Sequence, residues 1–167
     1  MKGRKATRKV LWAPWRMEYI GSEPKGCIFC SMPQVDRDEE NLILERGRLS
    51  FVAMNRFPYN NGHLMVAPYA HVPSLEDLSE EAVIEVMRLV KKSLSCLRAT
   101  LHPQGFNVGV NIGRAAGAGF DQHVHVHVVP RWTGDINFMP VLADTKVLPE
   151  ALNVTYRKLR PSFSASP

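Results

Sequence analysis

The stretch that most constrains this chain is the run 123–131, in which three histidines alternate with valines. Strict alternation with β-branched residues is typical of a strand. Side chains at every second position of a strand share one face, with neighbours roughly 6.6 Å apart. The pattern therefore predicts that His123, His125 and His127 line one face and that the valines anchor the strand in a core. It also predicts that Pro130 ends the strand or places it at an edge.

Three histidines on one strand face leave two functional interpretations open. Neighbouring imidazoles bind metal ions. An imidazole also titrates near neutral pH, so one of the three is equally suited to act as a nucleophile with the others as acid or base partners. The remaining sequence has to decide between these hypotheses.

Length and charge limit the partners of the protein. A chain of 167 residues is long enough for one domain with a real core. We expect a basic arm at 1–10, a domain at 11–160 and a tail at 161–167. Five basic residues lie within the first nine, which leaves 16 basic against 16 acidic residues in the rest. The neutral body argues against a nucleic-acid-binding face.

Other features favour a cytoplasmic protein. The sequence contains no apolar run long enough to span a membrane and no secretory signal after the basic arm. Its three cysteines do not resemble a disulfide framework, so we expect a reducing compartment.

The periodicities predict an α+β fold: a mainly antiparallel sheet of about five strands, covered by a long helix and a C-terminal helix. Ser79 is the expected N-cap of the long helix, which should end near Thr100. The C-terminal helix is predicted at 147–159, and 162–167 should be frayed. Besides the histidine strand, the predicted strands lie at 42–44, 49–55, 63–68 and 106–112, the second and third forming a hairpin.

Two loops and one aromatic stretch add candidates. A loop at 21–33 carries Cys27 and Cys30, whose spacing suits a metal ion and, in another context, a redox pair. The glycine- and alanine-rich loop at 113–119 lets backbone N–H groups approach a ligand. The aromatic residues at 11–20 are expected to cover a core or a subunit interface rather than to stack on bases.

These motifs together resemble the histidine triad (HIT) family, whose signature is three histidines separated by apolar residues. The resemblance runs over 27–138, the expected core of the domain. It includes the blocks 55–58 and 62–68, the glycine-rich lead-in and the triad itself. The flanks 11–17 and 128–132 are similar to the bacterial branch that contains phosphorylases and hydrolases of diadenosine tetraphosphate.

The resemblance implies nucleotidyl transfer through a covalent nucleotidyl-histidine intermediate, with an adenine nucleotide as the favoured substrate. It implies that His125 is the nucleophile, that His127 contacts the phosphate, and that His63 orients the phosphate or a neighbouring histidine, with His123 completing the triad. The implied substrate-binding residues are Asn55 at the ribose and Asn111 at the phosphate. The glycine-rich loop, which is one residue longer than is common in the family, adds Gly117, Ala118, Gly119 and Gln122.

The resemblance further implies a structural zinc ion, no organic cofactor and a homodimer. The implied zinc ligands are Cys27, Cys30, His71 and His123. Three alternatives stay open. One is the same chemistry with another acceptor or leaving group, including phosphorolysis of diadenosine tetraphosphate and cleavage of phosphoramidates. Another is a uridylyltransferase, which His127 argues against because those relatives carry glutamine there. The third is a non-enzymatic nucleotide-binding module.

Overall fold

The computed structural model of the protein describes residues 26–135 and 148–165. The predicted basic arm at 1–10 and the aromatic stretch at 11–20 lie outside these residues, as does the end of the predicted core at 136–138. Within the described part, no helix has the length and apolar character needed to cross a membrane.

The core of the fold is one antiparallel sheet of five strands in the order β1-β2-β3-β5-β4. The predicted hairpin is confirmed as β2 and β3. The strands are β1 (Ile43–Arg46), β2 (Ser50–Met54), β3 (Leu64–Pro68), β4 (Gly105–Val110) and β5 (Val126–Arg131).

In the described residues, four α-helices accompany the sheet, with short 3₁₀ turns between elements. The first short helix replaces part of what the sequence predicted as a cysteine-bearing loop. The helices are α1 (Ile28–Ser31), α2 (Asp38–Asn41), α3 (Glu80–Leu101) and α4 (Leu152–Ala165).

Helix α3 forms where the sequence predicted it. The Ser79 hydroxyl accepts a hydrogen bond from the backbone N–H of Ala82, and Glu80 and Glu81 follow in the first turn, where the helix dipole favours negative charge. The helix ends at His102, whose φ of 50° leaves the helical region just before Pro103. Its buried residues recur at helical spacing and pack with α4 on one face of the sheet.

The two faces of the sheet have different roles. Alternate residues such as Val52, Val66 and Val128 point into the main core under α3 and α4. Phe51, Met65 and their neighbours on the opposite face pack with Phe29 of α1. Met65 pairs with His127, and this second face therefore carries the histidines.

The histidine strand begins later than the alternation predicted. Of the three histidines, only His127 lies within β5; His123 lies in a bend and His125 in irregular chain just before the strand. The backbone N–H of Val124 donates to the carbonyl of Val72 instead of to a sheet neighbour. Val126 still packs in the main core, whereas His123 and His125 contact the ring of Phe29 on the other face, so the predicted separation of valines and histidines holds there.

Pro130 does not end β5 but lies within it, paired with Phe106. The Pro130 carbonyl accepts from Asn60 Nδ2, on the side of β3. In an antiparallel strand the N and C=O of one residue point to the same neighbour. Strand β3 pairs with β5 only as far as Val128, so the missing donor of Pro130 removes no ladder hydrogen bond.

The C-terminal boundary was predicted wrongly. Helix α4 begins at Leu152 and runs to Ala165, through most of the segment predicted as a frayed tail at 161–167, with Pro161 inside it. The reason is packing: Phe163 is 2% exposed in the main core. The Thr100 and Ser162 hydroxyls also lie 2.8 Å apart, which ties α4 to α3.

Candidate functional site

The centre of the candidate site is His125, which is buried with 6% of its surface exposed. Its Nδ1 lies 2.9 Å from the carbonyl oxygen of His123. A carbonyl oxygen only accepts, so Nδ1 carries the hydrogen, and in the neutral ring the lone pair lies on Nε2. Burial lowers the pKa of His125, although the bond to the His123 carbonyl opposes that shift. The geometry therefore presents an imidazole with a free lone pair on Nε2, which is what a nucleophile requires.

Aromatic rings hold this imidazole in place. The ring of Phe29, itself 1% exposed, has its centroid 4.5 Å from that of His125. The ring of His127 lies 4.7 Å away on edge. Phe29 stands between the two cysteines in the sequence, a position that gave no signal of a role beside the triad.

A second pair of histidines forms a directed chain of hydrogen bonds. The backbone N–H of Tyr59 donates to His63 Nδ1 at 3.1 Å, which leaves the hydrogen of His63 on Nε2. That Nε2 lies 2.9 Å from His127 Nδ1 and donates to it. His127 therefore carries its own hydrogen on Nε2. Burial, followed by the charge of a protonated His125, lowers the pKa of His127 to about 4, so the ring is a neutral donor at pH 7.

The turn that delivers the Tyr59 amide is fastened to β5. Asn60 is 5% exposed, and its Nδ2 donates to the Pro130 carbonyl at 3.0 Å and to Asp135 Oδ2 at 2.7 Å. Asp135 also accepts from Arg131 Nε at 2.7 Å. The Arg131 hydrogen bond is the main cause that holds the pKa of Asp135 far below its usual range. The carboxylate therefore stays charged and keeps the turn in place.

Beside the triad lies a cluster of four potential metal ligands. One donor atom each from Cys27, Cys30, His71 and His123 lies within 4.8 Å of the others. His123 Nε2 donates to the Pro68 carbonyl at 2.9 Å, which leaves the Nδ1 lone pair facing the cluster. That Nδ1 is 3.2 Å from Cys27 Sγ, 3.6 Å from Cys30 Sγ and 3.2 Å from His71 Nδ1.

The cluster fits a tetrahedral metal ion. Bonds of about 2.0–2.3 Å to zinc place tetrahedral ligand atoms roughly 3.3–3.8 Å apart, close to these separations. Two thiol and two imidazole donors are also a set that zinc prefers. The sequence placed both cysteines in a loop, but Cys27 is the residue before α1 and Cys30 lies within it. The short helix turns both sulfur atoms toward His123.

Two asparagines predicted to bind substrate lie next to the histidines. Asn55 follows β2, and its Nδ2 lies 3.4 Å from His63 Nδ1 while its Oδ1 accepts from the Phe57 N–H. Asn111 follows β4. The last pair of that ladder joins Val110 to Val126, so Asn111 lies just beyond the end of the pairing between β4 and β5.

The glycine-rich loop lies at the surface. It forms a 3₁₀ turn at Arg114–Ala116 and turns at Gly117, whose φ of 85° favours glycine. Arg114 Nε donates to Asp121 at 2.7 Å and closes the loop. Hydrogen bonds from Arg114 and, more weakly, from Gln122 lower the pKa of Asp121. The proposed phosphate-contacting roles of Gly117, Ala118, Gly119 and Gln122 stay predictions.

Comparison with known proteins points to one family. The sequence model of the HIT domain matches residues 37–134. The "AP-4-A phosphorylase" of Mycobacterium tuberculosis is 39% identical over 175 residues, which cover 99% of this chain and 89% of that protein. An adenosine 5′-monophosphoramidase of Schizosaccharomyces pombe is 33% identical over 105 residues, which cover 63% of this chain and 74% of that protein.

The fold supports the same assignment. The crystal structure of a zinc-bound histidine triad family protein from Mycobacterium smegmatis superposes with a TM-score of 0.67 at 26% identity, covering 83% of this chain and 94% of that one. The sequence model alone spans more than half of the chain. The chain therefore belongs to the histidine triad (HIT) family.

Proposed function

We propose that this protein is a nucleotidyl-transferring enzyme that cleaves diadenosine tetraphosphate at an α-phosphate and passes the adenylyl group to inorganic phosphate. The observation that carries the proposal is the hydrogen bond from His125 Nδ1–H to the His123 carbonyl, which leaves the lone pair of the neutral ring on Nε2. The nearly full-length similarity to a protein named AP-4-A phosphorylase supports this choice of substrate and acceptor.

In the first step, His125 Nε2 attacks the α-phosphorus. A phosphorus–nitrogen bond forms, the phosphorus–oxygen bond to the leaving group breaks, and its electron pair leaves with ATP as an anion that needs no proton. The imidazole then carries a positive charge, which the carbonyl of His123 stabilises through Nδ1–H. His127 Nε2–H donates to the phosphate oxygens as negative charge develops there.

In the second step, an oxygen of phosphate attacks the adenylyl group and displaces His125 Nε2, which recovers its electron pair. The product is ADP. Phosphate dianion needs no base to become a nucleophile, whereas water does. His127, with its pKa lowered to about 4 mainly by burial, is a weak base. This feature favours phosphate over water as the acceptor.

We assign the surrounding residues as the resemblance implies. Asn55 meets the ribose hydroxyls, which its place beside His63 supports. Asn111 meets the phosphate, which its place at the end of β4, next to the strand of the triad, supports. Backbone N–H groups of the loop 117–119 and the Gln122 side chain supply further donors to the phosphates.

We further propose that the ion in the Cys27, Cys30, His71 and His123 cluster is zinc. Four protein ligands close the coordination shell, so a bound zinc ion would be structural rather than a Lewis acid for the reaction. It would join α1 to the triad segment through His123. The donor set and separations support this assignment.

A homodimer formed through the edge of the sheet is also proposed. Strand β4 is the outermost strand after β5, and Val108 on it is 46% exposed. Ile112, just beyond the strand, is 44% exposed. Light scattering should give the mass of a dimer, and Val108→Lys should shift it toward the monomer; a monomeric wild-type protein would contradict the dimer.

We also place the protein in the cytoplasm. Its three cysteines all lie in the described residues and form no disulfide there, which supports a reducing compartment.

Turnover of diadenosine tetraphosphate tests the proposal directly. The purified protein is incubated with this substrate, with and without phosphate. ADP should appear only with phosphate, and without phosphate the ATP released should not exceed one equivalent of the enzyme; His125→Ala should abolish both products. The matched control is His102→Asn, at an exposed histidine that ends α3.

The other outcomes identify the alternatives. AMP and ATP formed without phosphate would indicate a hydrolase. Turnover of adenosine 5′-phosphoramidate alone would indicate the activity named for the Schizosaccharomyces pombe relative. Nucleotide binding without any turnover would indicate a non-enzymatic module.

A further inference from the structure

The carboxylate of Asp135 is surrounded by hydrogen-bond donors, and its side chain is only 8% exposed. Arg131 binds both oxygens, through Nε at 2.7 Å and Nη2 at 2.9 Å. Oδ2 also accepts from Asn60 Nδ2 at 2.7 Å and from the backbone N–H of Trp132 at 3.3 Å. Charge-assisted hydrogen bonds of this kind hold a carboxylate in one orientation. Its contact with Asn60 is therefore a fixed point for the turn that contains Tyr59.

Asn60 connects this carboxylate to the position of His63. The Asn60 side chain is buried, and its Nδ2 donates to the Pro130 carbonyl at 3.0 Å as well as to Asp135. The backbone carbonyl of Asn60 accepts from the His63 N–H at 3.1 Å. The preceding residue, Tyr59, donates its N–H to His63 Nδ1 at 3.1 Å. The turn that Asp135 fixes therefore holds both the backbone and the ring of His63.

The direction of the hydrogen bonds beyond His63 depends on this turn. The Tyr59 N–H makes Nδ1 the acceptor, so His63 carries its hydrogen on Nε2 and donates it to His127 Nδ1 at 2.9 Å. His127 then keeps its own hydrogen on Nε2, which donates to the phosphate oxygens in the proposed mechanism. Asn55 Nδ2 also faces His63 Nδ1, but at 3.4 Å it is the more distant donor. Moving the Tyr59 amide away should therefore weaken the preference for these tautomers.

We propose that Asp135 is a positioning residue, which acts through Asn60 and the Tyr59 amide to keep the hydrogen of His127 on Nε2, where the phosphate of the substrate receives it. The inference rests on the proposed function and adds to it a group that lies outside the triad. His127 is part of β5, and Asp135 lies in the turn that follows this strand. One continuous segment therefore carries both the donor and the carboxylate that fixes its tautomer.

Two variants remove the contact between Asp135 and Asn60 from either side. Asp135→Asn keeps the shape of the side chain but removes its charge, and Asn60→Ala removes the donor. The matched control is Asp38→Asn. Asp38 accepts from Nε and Nη2 of Arg46 at 2.9 and 2.8 Å, a similar pair, but it belongs to α2 rather than to the histidine segment.

Three measurements are made on the wild-type protein and on each variant. Nitrogen-15 NMR of the imidazole rings at pH 7, without substrate, shows which ring nitrogen carries the hydrogen. Steady-state kinetics with diadenosine tetraphosphate and phosphate give kcat and KM. Urea titration gives the unfolding midpoint, which separates a change in the site from a loss of stability.

The positioning role predicts that the His127 Nε2 signal moves toward that of an unprotonated nitrogen in both Asp135→Asn and Asn60→Ala. The kcat should fall by about 10- to 100-fold in each, as for a misplaced catalytic group, with KM within about threefold of wild type. Because both variants break one contact, the double variant should lose at most about twofold more than the weaker single variant. Asp38→Asn should keep the wild-type NMR signals and a kcat within about twofold, even if its urea midpoint falls equally.

Wild-type imidazole signals in both Asp135→Asn and Asn60→Ala would overturn the proposal. A loss of kcat no larger than that of Asp38→Asn, or additive losses in the double variant, would also overturn it. If Asp135→Asn does not fold, Asn60→Ala decides by the same signals and the same loss of kcat.

Failure of the proposed function has a separate signature. It would appear as an absence of diadenosine tetraphosphate turnover in the wild-type protein, whatever tautomers the NMR signals show. Normal wild-type turnover with unchanged His127 signals in the two variants would refute the positioning role alone.

Discussion

Replacing His63 tests the hydrogen-bond chain that fixes the ring of His127. His63 is fully buried, and its Nε2–H is the donor that obliges His127 to keep its hydrogen on Nε2. In His63→Leu, His127 is free to place the hydrogen on Nδ1, so that a lone pair faces the phosphate oxygens. His63→Gln is the matched variant, because its amide N–H replaces the donor.

The expected magnitude follows from the loss of one donor in the transition state. Removing such a donor costs on the order of 10²- to 10³-fold in kcat. We therefore expect that loss in His63→Leu, with a smaller change in KM, and a loss within about tenfold in His63→Gln. Steady-state kinetics with diadenosine tetraphosphate and phosphate give both constants, and circular dichroism confirms that both variants fold. Equal activity in the two variants would refute the assigned chain.

Three further predictions concern stability, metal and pH. Glu85 Oε1 accepts hydrogen bonds from the N–H groups of Leu49 and Ser50 and from the Ser50 hydroxyl. Glu85→Ala should therefore lower the free energy of unfolding by about 1–3 kcal/mol, measured by urea titration. An unchanged urea midpoint would contradict this prediction. A chelator should release zinc from wild-type protein and lower its Tm. We expect Cys30→Ser to hold no zinc, so the chelator should leave the Tm of that variant unchanged. An equal change of Tm in both proteins would refute the metal site. The pKa of His127 falls from 6.5 unfolded to about 4 folded, chiefly through burial. The unfolded chain therefore takes up the proton first, and stability should fall as pH decreases from 6.5 to 4, by less in His127→Gln. Identical pH profiles would contradict that assignment.

Local signals were sufficient for the regular elements. Ser79 with the two glutamates after it defined the start of α3, and the two strand patterns at 49–55 and 63–68 defined the hairpin. These features depend on residues a few positions apart. The end of α4 was missed because Phe163 reaches the core, which depends on contacts with a distant part of the chain.

The candidate site, too, was predictable where it depends on local sequence and not where it depends on contacts between distant segments. The triad pattern indicated which histidines share a face, and the resemblance supplied their roles. The direction of each hydrogen bond was not predictable, because it depends on the His123 carbonyl and the Tyr59 amide. The contact between Asn60 and Asp135 joins residues 75 positions apart. Such contacts exist only once the sheet has brought the segments together.

The most direct test of the central claim is detection of an adenylyl group on His125. Wild-type protein is mixed with diadenosine tetraphosphate without phosphate, quenched in alkali at short times and analysed by peptide mass spectrometry. The account predicts an acid-labile adenylyl group on His125 that disappears as ADP forms when phosphate is added, and that is absent in His125→Ala. Rapid formation of ADP without any adduct, or an adduct on another residue, would contradict nucleophilic attack by His125.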